Sequence, residues 1–147
     1  MSEKLGIPNL APIMEFETEE QLQFCIEDWK KILFLQDWVI RGKLVDELHD
    51  DDGNELAGVN NFQITNKCSL IKIVRANEDF KSRIVKYCAE VTLVHELLHC
   101  KYNWTSKYSD SIEYAYYDSL EHGLIEQMAK SLIMVKFNLP FEWFYNF

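Results

Sequence analysis

Two histidines lie four positions apart in this chain, His95 and His99, and Glu96 directly follows the first of them. In a helix, residues i and i+4 lie on one face, so both imidazoles can reach a single metal ion. Glu96 would then stand close enough to a water on that metal to take its proton. The spacing therefore predicts a zinc site that activates water for hydrolysis.

Uncharged residues flank and fill this motif, as expected of a helix buried beside a reaction centre: Thr92, Leu93, Val94, Leu97, Leu98 and Cys100. Lys101 departs from this pattern, because it places a charge where the apolar run would otherwise continue. The motif also occurs by chance in proteins without metal, whose histidines are then held by hydrogen bonds in a buried helix. If the motif is a chance match, the purified protein should contain no zinc. If it forms a zinc site, the protein should contain about one zinc per chain.

The elements that must position this motif form a single α+β domain over all 147 residues. A capping box, Thr18-x-x-Gln21, opens the first helix. The predicted elements are a helix at 18–36, strands at 38–45, 56–65 and 69–74, the motif helix from 81 or 82 to about 102, and a helix at 119–137. Residues 1–17 are expected to be a loose leader, 103–118 a linker, and 141–147 an aromatic tail packed on the body.

Composition excludes several classes of function. The net charge of −9 disfavours binding to nucleic acid or to anionic lipid. No apolar run approaches the roughly 20 residues of a membrane helix, and no secretory signal pattern is visible at the start of the chain. The four cysteines form no Cys-x-x-Cys pair, which is typical of free thiols in a reducing compartment and favours a cytoplasmic protein.

An acidic segment, Asp50-Asp51-Asp52-Gly53-Asn54, invites comparison with a calcium-binding loop. If Gly53 is the sixth residue of such a loop, the first ligand position falls on Leu48, which cannot coordinate a cation. The segment therefore predicts a solvated hairpin turn.

A catalytic zinc usually takes three protein ligands, so a third must come from outside the motif. The last predicted helix offers Glu121, His122 and Glu126. His122, Glu126 and Ala129 share one face of that helix, and the small Ala129 would allow it to approach the motif helix closely. One of His122 and Glu126 could bind the metal while the other accepts a hydrogen bond from a motif histidine.

These residues also carry a resemblance to a known superfamily. The segment 93–99, together with Glu121-His122-x-x-Ile125-Glu126-x-x-Ala129, resembles the gluzincin-type metallopeptidases. More narrowly, it is similar to small phage and bacterial metallopeptidases of the SprT-like and ImmA/IrrE-like groups. A looser similarity, Leu-x-x-Trp-x-Ile at 35–40, covers the N-terminal half.

The resemblance implies a zincin-like minidomain with an N-terminal helix, a small three-stranded sheet, the motif helix and a second ligand-bearing helix. It implies His122 as the third ligand, at a position where the family typically has Glu. In the family, an acidic or amide residue follows this ligand by four positions, and here that position is Glu126. It also implies a peptide substrate lying as an added strand along the sheet edge, and a location in the cytoplasm of a bacterial host if the protein is phage-encoded.

The sequence thus predicts a zinc metallopeptidase with Glu96 as general base, His95, His99 and His122 as ligands, and a peptide or protein as substrate. Tyr114 or Tyr117 is a candidate for stabilising the oxyanion, with aromatic packing in the linker as the alternative. A different class remains open: a binding protein that keeps the zinc but does not turn over substrate. The retained Glu96 argues against it, because a structural zinc site does not need a carboxylate there.

Overall fold

The computed structural model describes residues 10–104 and 113–146 of the chain. Within them the fold is α+β, as predicted, with a three-stranded mixed sheet. The elements are α1 (Glu19–Ile32), β1 (Val39–Val45), β2 (Gly58–Gln63), β3 (Cys68–Val74), α2 (Glu78–Lys81), α3 (Ala89–Leu98) and α4 (Tyr114–Phe137), followed by a 3-10 helix, Phe141–Phe144.

The sheet has the order β1-β3-β2, so β2 is an edge strand. β1 runs parallel to β3, with Ile40 opposite Ser69, and β2 runs antiparallel to β3, with Asn60 opposite Ile71. α1 packs on β1, and α3 packs on β2, β3 and α1. Ile71 and Ile73 are buried on this helix-covered face, as their alternation predicts.

Between β1 and β2, the acidic segment forms the predicted hairpin turn. His49 and Glu55 form an antiparallel bridge at its base. The carboxylate of Asp50 accepts hydrogen bonds from the backbone N–H groups of Asp52 and Asn54, at 2.9 and 2.8 Å. Gly53 adopts a φ of +83°, a conformation that glycine tolerates best.

β2 lies unusually close to α3 at Gly58. A β-carbon added there would lie 2.9 Å from Thr92 Cγ2 and 3.3 Å from Glu96 Cγ. We therefore expect Gly58→Ala to lower the free energy of unfolding by about 1–3 kcal/mol, because the sheet and α3 must move apart. Gly123→Ala is the matched control: its β-carbon meets nothing within 4 Å, and helix propensity should raise stability by about 0.5–1 kcal/mol. Denaturant unfolding measures both, and equal effects would contradict this account of Gly58.

The motif helix begins later than predicted. The sequence pattern placed its start at residue 81 or 82, but α3 starts at Ala89. Residues 84–86 pair with the C-terminal tail instead: Lys86 N–H donates to the carbonyl of Phe144, and Asn146 N–H donates to that of Ile84. Pairing with a distant segment thus replaces local helix formation. It also fixes the aromatic tail on the body, as expected, with Phe144 buried.

Two other helix boundaries differ from the prediction. α1 ends at Ile32 instead of about residue 36, because Phe34 takes a left-handed conformation with a φ of 57°. α4 starts at Tyr114, five residues before the predicted Ser119. The predicted linker at 103–118 is therefore partly helical, and its residues 105–112 lie outside the described residues.

The N-terminal end of α3 is anchored by a buried carboxylate. Glu90, only 1% exposed, accepts hydrogen bonds from the Trp29 indole at 2.7 Å and from Ile13 N–H at 2.8 Å. Lys136 Nζ on α4 lies 3.7 Å from the same side chain. The description of residues 1–17 as a loose leader therefore does not hold for 13–16, where Phe16 is also buried. Residues 1–9 lie outside the described part of the chain.

Candidate metal centre

Three histidines from two helices meet at one point. His95 lies in the last turn of α3, His99 caps its end, and His122 comes from α4. One ring nitrogen of each lies within 4.8 Å of the others, and the ring centroids are 4.7–5.6 Å apart. Among the histidine, cysteine and carboxylate side chains of the described residues, these three histidines form the group that could hold a metal ion. Three imidazoles suit zinc, among other transition metals.

The packing of α3 against α4 and β2 creates this convergence. Ala129 is fully buried on α4, in the stripe Glu121, Ile125, Ala129 and Ile133. On the other side, the Asn60 amide of β2 donates to the carbonyl of Glu96 at 2.6 Å. This bond holds the last turn of α3, from which both motif histidines project. Asn60 was not singled out in the sequence, where a polar residue in an edge strand is a weak signal.

Glu126 orients one of the histidines. Its Oε1 lies 2.9 Å from His95 Nδ1, so Nδ1–H donates to the carboxylate and Nε2 is left for a metal. This hydrogen bond holds the pKa of Glu126 below its usual value. Burial lowers the pKa of His95, but the bond to Glu126 and the charges of Glu96 and Glu126 outweigh it and raise that pKa overall. Of the two α4 residues considered from the sequence, His122 belongs to the three-histidine group and Glu126 bonds to His95.

Loss of this carboxylate should weaken metal binding without abolishing it. We expect Glu126→Ala to lower zinc affinity about 10- to 100-fold, because His95 loses the acceptor that fixes its ring and tautomer. Glu126→Gln should lose less, since the amide oxygen can still accept from Nδ1–H. A chelator competition titration measures both variants. Wild-type affinity in Glu126→Ala would show that His95 needs no partner.

Burial sets the charge state of the two motif residues that face the cavity. Glu96 is 8% exposed. In the metal-free protein, desolvation raises the pKa of Glu96 to about 7, although the charge of His95 partly lowers that pKa. Burial, together with the nearby His95 and His122, lowers the pKa of His99 to about 3. His99 is therefore neutral, which is the form that binds a metal.

A cavity of about 460 Å³ lies between β2, α3 and α4, beside the histidines. Glu96, His99 and His122 line it, as does the edge strand at Gly58, Val59, Asn60 and Phe62. A hydrolytic centre needs such a space for substrate beside the metal and the base.

The cavity wall also contains Asp118, to which the sequence prediction gave no role, and Glu121 and Tyr114, which it considered. Asp118 Oδ1 lies 3.6 Å from His122 Nε2, and the spacing of four could have indicated that they share a helix face. Glu121 is 4% exposed and lines the cavity, but it is not a member of the three-histidine group. Of the two tyrosines considered for the oxyanion, Tyr114 lines the cavity.

Comparison with known proteins gives no relative from which a function could be transferred. No family model matches the chain, and no curated protein or solved structure is significantly similar to it. In the described ranges, no helix combines the length and apolar character needed to cross a membrane.

Proposed function

We propose that this protein is a zinc-dependent metallopeptidase of the zincin-like type. The observation that carries the proposal is the group His95, His99 and His122, with ligand nitrogens within 4.8 Å of one another and the buried Glu96 on the same helix turn. Three imidazole ligands would leave room on a zinc ion for water or substrate, as in catalytic zinc sites. A fully closed structural site would use four protein ligands.

Each residue has a defined part in hydrolysis. His95, His99 and His122 would hold the zinc, which when bound would supply an electrophile and make water more acidic. Glu96 takes the proton from the attacking water and delivers it to the leaving amine. Its position suits this exchange, because Glu96 lines the cavity beside His99 and His122 and lies on the same helix turn as His95. Tyr114 lines the same cavity, and its hydroxyl would donate to the oxyanion if it turned away from Asp118, with which it interacts in this structure.

An extended peptide is the substrate that an edge strand beside the cavity favours. β2 is an edge strand and lines the cavity that contains Glu96. A peptide that adds to this edge would be held by main-chain hydrogen bonds and would pass beside the histidines. Main-chain binding of this kind accommodates peptides or exposed loops of proteins.

A cleavage assay tests the proposal. The protein is stripped with a chelator, reconstituted with one equivalent of zinc, and incubated with a randomised peptide library whose products are identified by mass spectrometry. We expect cleavage that disappears with zinc removal and returns with zinc. Peptide binding without any cleavage would instead assign the protein to the class of zinc-containing binding proteins.

A further inference from the structure

A second, smaller pocket is linked to the metal centre through Glu126, which lines it and bonds to His95. It measures about 160 Å³. Most of its other lining residues are apolar, among them Phe80, Val85 and Phe144, and Ala57 and Thr92 also line it. Ala57 precedes Gly58 of the larger cavity, and Glu126 holds His95 at 2.9 Å. A peptide along β2 would therefore pass from one pocket to the other.

Three cations line this small pocket: Arg83, Lys86 and Lys130. They stand out in a chain with a net charge of −9. The larger cavity differs, since the acids Asp50, Glu96, Asp118 and Glu121 line it, with no lysine or arginine among its described lining residues. The lining of the small pocket is therefore net positive, with three cations and the carboxylate of Glu126, whereas the lining of the larger cavity is acidic.

The existing partners of the three cations leave capacity for a ligand. Arg83 lies 3.8 Å from Glu55, a long and half-exposed pair that contributes little stability. Its guanidinium carbon also lies over the ring of Phe80, 4.8 Å from the centroid, but this contact uses the face of the guanidinium and leaves its N–H donors available. Lys86 Nζ lies 4.2 Å from the ring centroid of Trp143, and no carboxylate of the described residues lies within 4.0 Å of it. Lys130 is paired with Glu126 at 3.5 Å, but Glu126 is already shared with His95.

We propose that this pocket, the basic subsite (Arg83, Lys86 and Lys130), binds a carboxylate of the substrate next to the scissile bond. The inference rests on the proposed peptidase function and adds the substrate class: peptides with an acidic side chain, or a free C-terminus, on one side of the cleaved bond. The small volume fits one side chain or a chain end. Arginine in a partly enclosed pocket is well suited to such a carboxylate.

Matched peptides test this assignment. From the library, one cleaved sequence is made in versions with Glu or Gln at each position flanking the scissile bond, and with a free or an amidated C-terminus. At one position we expect the Glu version, or the free terminus, to be cleaved with a KM roughly 3- to 10-fold lower. The kcat should be nearly unchanged, because the subsite does not touch the reacting atoms.

Arg83→Gln should erase most of this preference. The control is Arg75→Gln, an arginine of similar side-chain exposure (52% against 55%) that is paired with Asp46 away from the site. Three results would overturn the inference and leave the peptidase function intact. They are an equal loss of the preference in both variants, an unchanged preference in Arg83→Gln, and no preference in the wild type. The same peptides can also be tested for binding to zinc-loaded Glu96→Gln, which should not turn them over. We expect this variant to retain the preferred peptide more strongly than its Gln or amidated version. Neither cleavage nor retention of any peptide would overturn both proposals.

Discussion

Glu96→Gln is expected to keep its zinc and lose peptide hydrolysis by about 10²- to 10⁴-fold. The glutamine matches the carboxylate in size but cannot accept the proton of the attacking water. Because Glu96 is not one of the three grouped ligands, metal content should stay near the wild-type value. The kcat for a library-derived peptide and the zinc content of the same preparation are the measurements.

Two controls separate chemistry from folding in this variant. Its thermal unfolding should match or exceed that of the wild type, since burying a carboxylate at 8% exposure is costly and an amide is cheaper to bury. Glu96→Asp keeps a carboxylate on a shorter chain and should retain part of the activity. Unchanged turnover in Glu96→Gln would remove this residue from the mechanism.

His122→Ala is expected to weaken zinc binding by more than the 10- to 100-fold loss typical of a residue that only orients a ligand. It removes one of the three grouped nitrogens and leaves His95 and His99 on α3. His122→Glu should recover much of the affinity, because a carboxylate oxygen is also a common zinc ligand. A chelator competition titration measures the zinc affinity of each variant.

His49→Ala provides the matched control for this series. His49 is the remaining histidine of the chain, is exposed and is not part of the group, so its removal should leave zinc affinity unchanged. If Glu126→Ala abolished binding while His122→Ala left it intact, the roles of the two α4 residues would be reversed.

Local spacing made much of the candidate site predictable. His95 and His99 share a helix face wherever that helix begins, so the error of seven or eight residues in the predicted start of α3 did not affect them. His122 and Glu126 were both candidates from the sequence, but their roles depend on how α4 rotates against α3. That rotation follows from the buried stripe of Glu121, Ile125, Ala129 and Ile133.

Features that depend on contacts between distant segments were not predictable. Residues 84–86 have an apolar pattern compatible with a helix, and only their bonds to the tail exclude it. The bond from Asn60 to the Glu96 carbonyl joins residues 36 positions apart. The opposite charges of the two pockets also arise from side chains on separate elements, so no sequence window contains them.

X-ray absorption at the zinc K-edge of reconstituted protein tests the central claim most directly. We expect about one bound zinc per chain, coordinated by three imidazole nitrogens and one light-atom ligand that a substrate-like inhibitor can displace. His99→Ala should not yield a spectrum of this kind. A wild-type protein that retains no zinc after reconstitution, or a spectrum without three imidazoles, would contradict it.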